Sequence, residues 1–167
     1  NISRFEEKKN QGFIIDVFEK IAKQKPEAIL VLGGPDGGIE QEIRDKVSSL
    51  NLTNKVRFIG PRNDVALWLR VFDLYLFPSK FEGFGIVVLE NQIASLHTIA
   101  SDNVPRLVDM NLGLVDFLSL DNVDKWVHFS LTVKKKEIPS VEMIEALKRN
   151  GFEPEENLNS LLNLYIN

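Results

Sequence analysis

The chain has 167 residues, enough for one domain with a real core, and its 44% hydrophobic content is that of an ordinary globular protein. A net charge of −4 gives no global pull toward nucleic acid, and the lack of cysteine excludes a disulfide framework and thiolate metal sites. Two histidines, His97 and His128, do not make a His-rich metal centre.

Phe13, Ile14, Val17, Phe18, Ile21 and Ala22 recur at helical spacing, and Pro26 stops that helix. Ala28 to Leu32 is a short continuous apolar run, the pattern of a strand buried on both faces. Gly33 to Gly38 follows as a loop, and Ile39, Ile43, Val47 and Leu50 mark the next helix. Val56 to Ile59 reads as a strand closed by Gly60-Pro61, and Val65 to Phe72 as a helix with Trp68 and Leu69 toward the core. Strands are expected at Leu74 to Phe77, Thr98 to Ala100 and Leu114 to Leu118. Three helical patterns close the chain, at Val123 to Val133, Val141 to Arg149 and Glu155 to Tyr165, with Ser140 as an N-cap and Gly151 as a C′ residue. Lys134-Lys135-Lys136 reads as a solvated loop. No run approaches the roughly 20 apolar residues of a membrane span, and no signal peptide is visible. A cytoplasmic location is expected.

Strands alternating with helices through short loops predict an α/β fold, a Rossmann-like doubly wound parallel sheet covered on both sides. Ligands in such sheets sit beyond the carboxyl ends of the strands. Four segments are expected there together: Ser3 to Lys9, Gly33 to Gly38, Gly60 to Asp64 and Ser79 to Gly85. Gly33 to Gly38 lacks the spacing of a dinucleotide fingerprint and reads first as a strand-to-helix turn.

The segment Pro78 to Ser95 carries the chemistry. A strand empties into a loop with Glu82, Gly83 and Gly85, and the loop opens a helix that carries Glu90 among Ile86, Val87, Ile93 and Ala94. The first-turn N–H groups of Gly85, Ile86 and Val87 are free donors that, with the helix dipole, favour an anion. Glu90 lies roughly 7 Å along the axis from Gly85 at about 1.5 Å per residue, and its side chain leans back toward the helix start. That distance suits a phosphate and a ribose. A carboxylate on an apolar face is costly without a partner, and a hydroxyl-bearing ligand would relieve it.

Glu82-x7-Glu90, within Phe81-Glu82-Gly83-Phe84-Gly85-Ile86-Val87-Val88-Leu89-Glu90, resembles the donor-site motif of the retaining GT4 glycosyltransferases, which have the GT-B fold. Ser3-Arg4-Phe5-Glu6-Glu7-Lys8-Lys9-Asn10 resembles that family's entry to its C-terminal domain, with Ser3 in place of the usual Gly. The resemblance implies that Arg4 and Lys9 grip the diphosphate, that Glu82 lies near the donor sugar, and that Glu90 takes the ribose hydroxyls. It implies backbone amides around Phe84, Gly85, Ile86 and Val87 on the sugar and distal phosphate. Gly60 to Val65 is similar to the family's base-binding loop, with backbone near Arg62 on the base edge; Asn63 or Asp64 as a helix cap is the plainer alternative. Asn91, Ser95 and His97 stand where the family usually has Ala, Gly and Pro, and Ser95 is less free than Gly to take a positive φ. The tail, with Leu114 to Leu120, Gly151-Phe152 and Leu161 to Tyr165, resembles exopolysaccharide and capsular-polysaccharide transferases of the EpsF-like kind.

The resemblance thus implies that residues 1–167 form the C-terminal half of a GT-B fold. It would be a nucleotide-sugar-binding domain whose terminal helices run from about 121 to 167, a fragment without the N-terminal acceptor domain. The full enzyme would transfer a sugar from UDP-sugar, or second GDP-sugar, to a saccharide or lipid-linked acceptor. It would need no metal or other cofactor and would act in the cytoplasm, with peripheral contact at the inner face of the plasma membrane. The rival readings are a sugar-nucleotide epimerase of the same fold and a non-catalytic nucleotide-binding module.

Overall fold

The computed structural model describes residues 1–152, so the expected helix over 155–165 lies outside the described residues. A 3₁₀ turn at Glu7–Lys9 leads into α1 (Gln11–Gln24), which ends immediately before Lys25-Pro26, where the proline disfavours helical backbone at Lys25. β1 (Leu30–Leu32), α2 (Glu40–Ser49), β2 (Val56–Phe58), α3 (Val65–Val71), β3 (Tyr75–Phe77), α4 (Ile86–Ile93), β4 (Thr98–Ser101) and β5 (Val115–Leu118) then alternate. α5 (Val123–Thr132) and α6 (Ser140–Arg149) follow. The fold is Rossmann-like α/β, with all three strand pairings parallel.

The one expected sheet is divided. β1 pairs with β2, and β3–β4–β5 form a second, three-stranded sheet. Residues 1–3 run between the two: the Asn1 amine donates to the Val31 carbonyl, Gly33 N–H donates to Asn1, and the Asn1 side-chain amide donates to the Leu76 carbonyl. Ser3 to Lys9 therefore follows an isolated bridge, Ile2 with Gly33, rather than a strand, and carries a second bridge itself, Phe5 with Asp36. A cavity of about 450 Å³ opens between the sheets at the amino ends of β1 and β3, bordered by Ile29, Val31, Leu74, Leu76, Phe18 and Trp68.

Alternation along the strands assigns the faces. Leu76 and Ile99 join α1, α2 and α5 in one core around Ile14, Phe18, Leu32 and Trp126. Tyr75, Phe77 and Ala100 point the other way, onto Leu69 of α3 and Val88 of α4. Helices thus cover both faces, as the sequence pattern predicts.

Several expectations are corrected locally. The strand predicted from Ala28 begins at Leu30, and Val31 is only half-buried because it borders the cavity. Leu69 is buried as expected, but Trp68 is half-buried. Ser140 is the first residue of α6 rather than its cap; Pro139 holds that position and offers no side-chain acceptor. Gly151 does take the left-handed conformation just past the helix, at φ +71°.

Candidate active site

The loops after β1, β2 and β3 emerge at one end of the sheets, where residues 4–10 also lie. Lys9 Nζ meets Glu82 Oε1 at 2.6 Å, with both side chains largely shielded from solvent. Glu82 Oε1 also accepts from Ser79 Oγ at 2.6 Å. The two segments are sewn together by backbone as well: Lys80 N–H donates to the Lys8 carbonyl at 2.7 Å, and the Asn10 side-chain amide donates to the Pro78 carbonyl at 3.1 Å. Asn10 adopts the left-handed conformation at φ +57°, which lets it close the 3₁₀ turn and open α1 at once. Residues more than seventy positions apart therefore share one ion pair because their backbones are locked to each other.

Gly85 is the N-cap of α4, at φ +90°. A Cβ there would sit 3.1 Å from Val104 Cγ1 and 3.7 Å from Phe77, so both backbone angle and packing call for glycine. The N–H groups of Ile86 and Val87 belong to the first helical turn, where intrahelical acceptors are lacking. Gly83 differs: among the described residues nothing lies within 4 Å of a Cβ built there, so internal packing does not require a glycine. Phe84 turns its ring onto Phe152, edge to face at 5.9 Å, tying the loop to the end of the described chain.

Glu90 corrects the sequence reading. It is exposed, and its neighbours Ile86 and Ile93 are exposed as well, at 65% and 48%. The apolar surroundings expected for it are an open face of α4 rather than core. Glu90 borders a groove of about 490 Å³ between α3 and α4, with Val65, Leu69, Ile93 and Ala94 on its walls. Apart from the core residue Val88, the buried residues of α4 are the polar Asn91 and Gln92. Asn91 donates to Thr98 Oγ1 at 3.0 Å; the Gln92 side chain donates to the Val108 carbonyl and accepts from Met110 N–H.

Arg4 is exposed, and its aliphatic stem lies against Gly37, where an added Cβ would approach the Phe5 carbonyl to 2.6 Å. The buried Gln11 side chain fixes the backbone below Arg4, donating to the Arg4 carbonyl at 2.8 Å and to Ser3 Oγ at 3.1 Å. Gly34, at φ +134°, passes so close to Ser3 that no side chain fits. The Gly33 to Gly38 loop, read from sequence as a strand-to-helix turn, joins β1 to α2 and is also shaped to accept residues 3–5. Asp36 accepts from Gly38 N–H and Glu40 N–H, and these backbone donors hold its carboxyl below the usual carboxylate range.

Arg62 forks onto Asp64, with Nε–Oδ1 2.7 Å and Nη2–Oδ2 2.6 Å. That bond lowers the Asp64 pKa and raises that of Arg62. Asp64 stands at the N-cap of α3 but makes no side-chain cap, because its carboxylate is spent on Arg62. The pair stiffens the loop and leaves its backbone at the surface.

Four residues of this region carried no role in the sequence reading. Ser79, Asn10 and Gln11 hold the loops, and Tyr75 anchors residue 2: its hydroxyl donates to the Ile2 carbonyl at 2.8 Å and accepts from Ile2 N–H at 2.9 Å. Burial pushes the Tyr75 phenol up, with small additions from the charges of Glu90 and Glu82. A small polar residue just after an apolar strand was the available signal for Ser79; the others become visible only through their partners. His97 is packed, with Nε2 2.7 Å from Asp116 Oδ2.

Comparison with known proteins places this geometry in a family. The description "Glycosyl transferases group 1" matches residues 1–112. A Bacillus subtilis (strain 168) protein named as a glycosyltransferase, EpsF, is 32% identical over 167 residues, covering 99% of this chain and 43% of the relative. This chain thus spans less than half the length of that protein. S. aureus TarM, solved as a mutant with Fondaparinux, alpha-GlcNAc-glycerol and UDP, superposes with a TM-score of 0.79 at 22% identity, over 99% of this chain and 34% of that one. The C-terminal domain of LpcC, a glycosyl transferase group 1 family protein of Francisella tularensis, superposes with a TM-score of 0.64 at 22% identity. That match takes in 89% of this chain and 78% of that one. The fold is accordingly that of GT-B glycosyltransferases, and with two thirds of its residues under the family description the chain belongs to the group 1 glycosyl transferases.

Proposed function

We propose that this chain is the donor-binding domain of a retaining glycosyltransferase that builds a polysaccharide or a lipid-linked saccharide. The observation that carries the reading is the Lys9–Glu82 contact beside the first turn of α4. It puts a cation against the carboxylate of the loop that leads directly into the helix N-terminal amides. The domain would be residues 1–167, working with a separate acceptor domain.

In this reading the amides of Phe84 to Val87 seat the distal phosphate and sugar, and Glu90 holds the ribose hydroxyls from the groove between α3 and α4. Backbone near Arg62 reads the base, uracil in the first instance and guanine in the second. Glu82 orients the donor sugar through its hydroxyls. The bond between the sugar's anomeric carbon and the diphosphate breaks, and its electron pair leaves with the diphosphate. Arg4 and Lys9 neutralise that charge as it develops. The acceptor hydroxyl forms the new bond from the same face and passes its proton to the departing phosphate oxygen, so the configuration is retained. Two side-chain cations take the place that a metal holds elsewhere, and no cofactor enters. UDP in a TarM structure and the C-terminal-domain match support this assignment. Among the described residues no helix is long and apolar enough to cross a membrane; we place the enzyme in the cytoplasm, in peripheral contact with the membrane that carries its acceptor.

Calorimetric titration with UDP, GDP and ADP, each with and without EDTA, tests the reading. Binding of UDP or GDP in preference to ADP, unchanged by EDTA, is expected. Failure of all three to bind defeats it.

A further inference from the structure

The carboxylate assigned to the donor sugar is held by more than its lysine. Ser79 is fully buried, and its hydroxyl lies 2.6 Å from Glu82 Oε1. Its Oγ is also 3.0 Å from the Lys8 carbonyl and 3.2 Å from the Phe81 carbonyl. A hydroxyl has one proton, and the shortest contact, to an ionised acceptor, is the one that takes it. Ser79 is fixed in turn: its carbonyl accepts from the buried Ser101 hydroxyl at the end of β4. Lys9 and Ser79 both donate to Oε1, and among the described residues Oε2 takes no hydrogen bond.

The two donors have different futures once a diphosphate arrives. Lys9 has a long flexible stem, and a nearby anion of higher charge competes for its ammonium. Ser79 cannot follow, because it is buried and tied to Ser101. We propose that Ser79 is a positioning residue that keeps Glu82 aimed at the donor sugar when Lys9 is drawn to the diphosphate. This rests on the reading of Glu82 given above. The lysine contact is then exchangeable, whereas the serine contact persists, and Oε2 is left for a sugar hydroxyl. Ser79 acts on the sugar-dependent part of donor affinity and leaves the nucleotide part alone.

The test compares UDP with UDP-glucose by calorimetry on the full chain and on Ser79→Ala, Ser79→Cys and Ser79→Thr. Cysteine keeps the volume but is a weak donor; threonine keeps the hydroxyl. UDP affinity is expected to stay within about twofold in all three, while the gain from the glucose moiety falls about tenfold in the Ala and Cys variants and is retained with Thr, the size of one charge-assisted hydrogen bond. Hydrogen exchange over residues 79–85 gives a ligand-free readout and is expected to quicken in Ala and Cys more than in the rest of the fold. Equal losses toward UDP and UDP-glucose, or no change in either readout, overturn the proposal. Glu82→Gln separates it from its parent: if that variant keeps the glucose gain, the role given to Glu82 fails; if it loses the gain and Ser79→Cys does not, only the role of Ser79 fails.

Discussion

Lys9 and Glu82 form a 2.6 Å ion pair that joins the start of the chain to the loop after β3. This pair is held together by the protein's own contacts, whereas Arg4 and Glu90, the other two charged residues we assign to the donor, are exposed. Pre-assembly of the pair lowers the ordering cost of binding.

Removing one half of that pair should be felt in stability. Lys9→Ala leaves a mostly shielded Glu82 with Ser79 as its donor, and a loss of about 1–2 kcal/mol is expected in urea denaturation, below the cost of breaking a fully buried pair. The double variant Lys9→Ala with Glu82→Gln should recover part of the loss. A strictly additive double variant would show that the pair does not couple.

Glu90 should behave in the opposite manner. It is exposed, so Glu90→Ala is expected to change stability by no more than about 0.5 kcal/mol. UDP binding, if Glu90 takes the ribose, should weaken by about tenfold, the size of a hydrogen bond to a charged group. Unchanged UDP affinity in this variant removes the ribose assignment.

The two glycines of the loop should separate. Gly85→Ala forces a side chain into left-handed backbone and against Val104, and a loss of about 1–3 kcal/mol is expected in thermal or chemical denaturation. Gly83→Ala meets nothing within 4 Å among the described residues and should leave stability nearly unchanged. If Gly83 is there for a ligand, its alanine variant loses UDP-sugar binding while the fold persists.

Tyr75 predicts an alkaline limb of stability. Burial raises its folded pKa above the unfolded value near 10, so the contribution of its neutral hydroxyl is fully present below about pH 10 and is lost as pH rises toward the folded value. Tyr75→Phe gives up the two bonds to Ile2, about 1 kcal/mol at neutral pH. In exchange its stability should fall less steeply above pH 10. Parallel curves for the two proteins above pH 10 would refute the linkage.

Element order and both helix layers were legible from periodicity, because buried strands and amphipathic helices leave patterns that single residues cannot hide. The candidate site was read as a loop and a helix start, and the structure does put that loop between β3 and α4 with Gly85 as the helix N-cap. What periodicity could not show were contacts between distant segments. Nothing in the sequence says that Asn10 reaches Pro78, that Ser79 reaches Glu82, or that Arg62 takes the carboxylate expected to cap α3. Glu90 was misjudged for the related reason that apolar neighbours on a helix do not reveal whether anything covers them. Ser95 took the positive φ that its side chain makes costly, at +55°, and its hydroxyl accepts from Ile138 N–H, a compensation that lies more than forty residues downstream.

Asn1 to Ser3 touch both halves of the divided sheet, and the next residue is Arg4. Asn1 is bonded to Val31 on one side and to Leu76 on the other, and it stands three residues before Arg4, the cation we assign to the diphosphate. Residues 1–3 thus tether both sheets to the segment that carries Arg4.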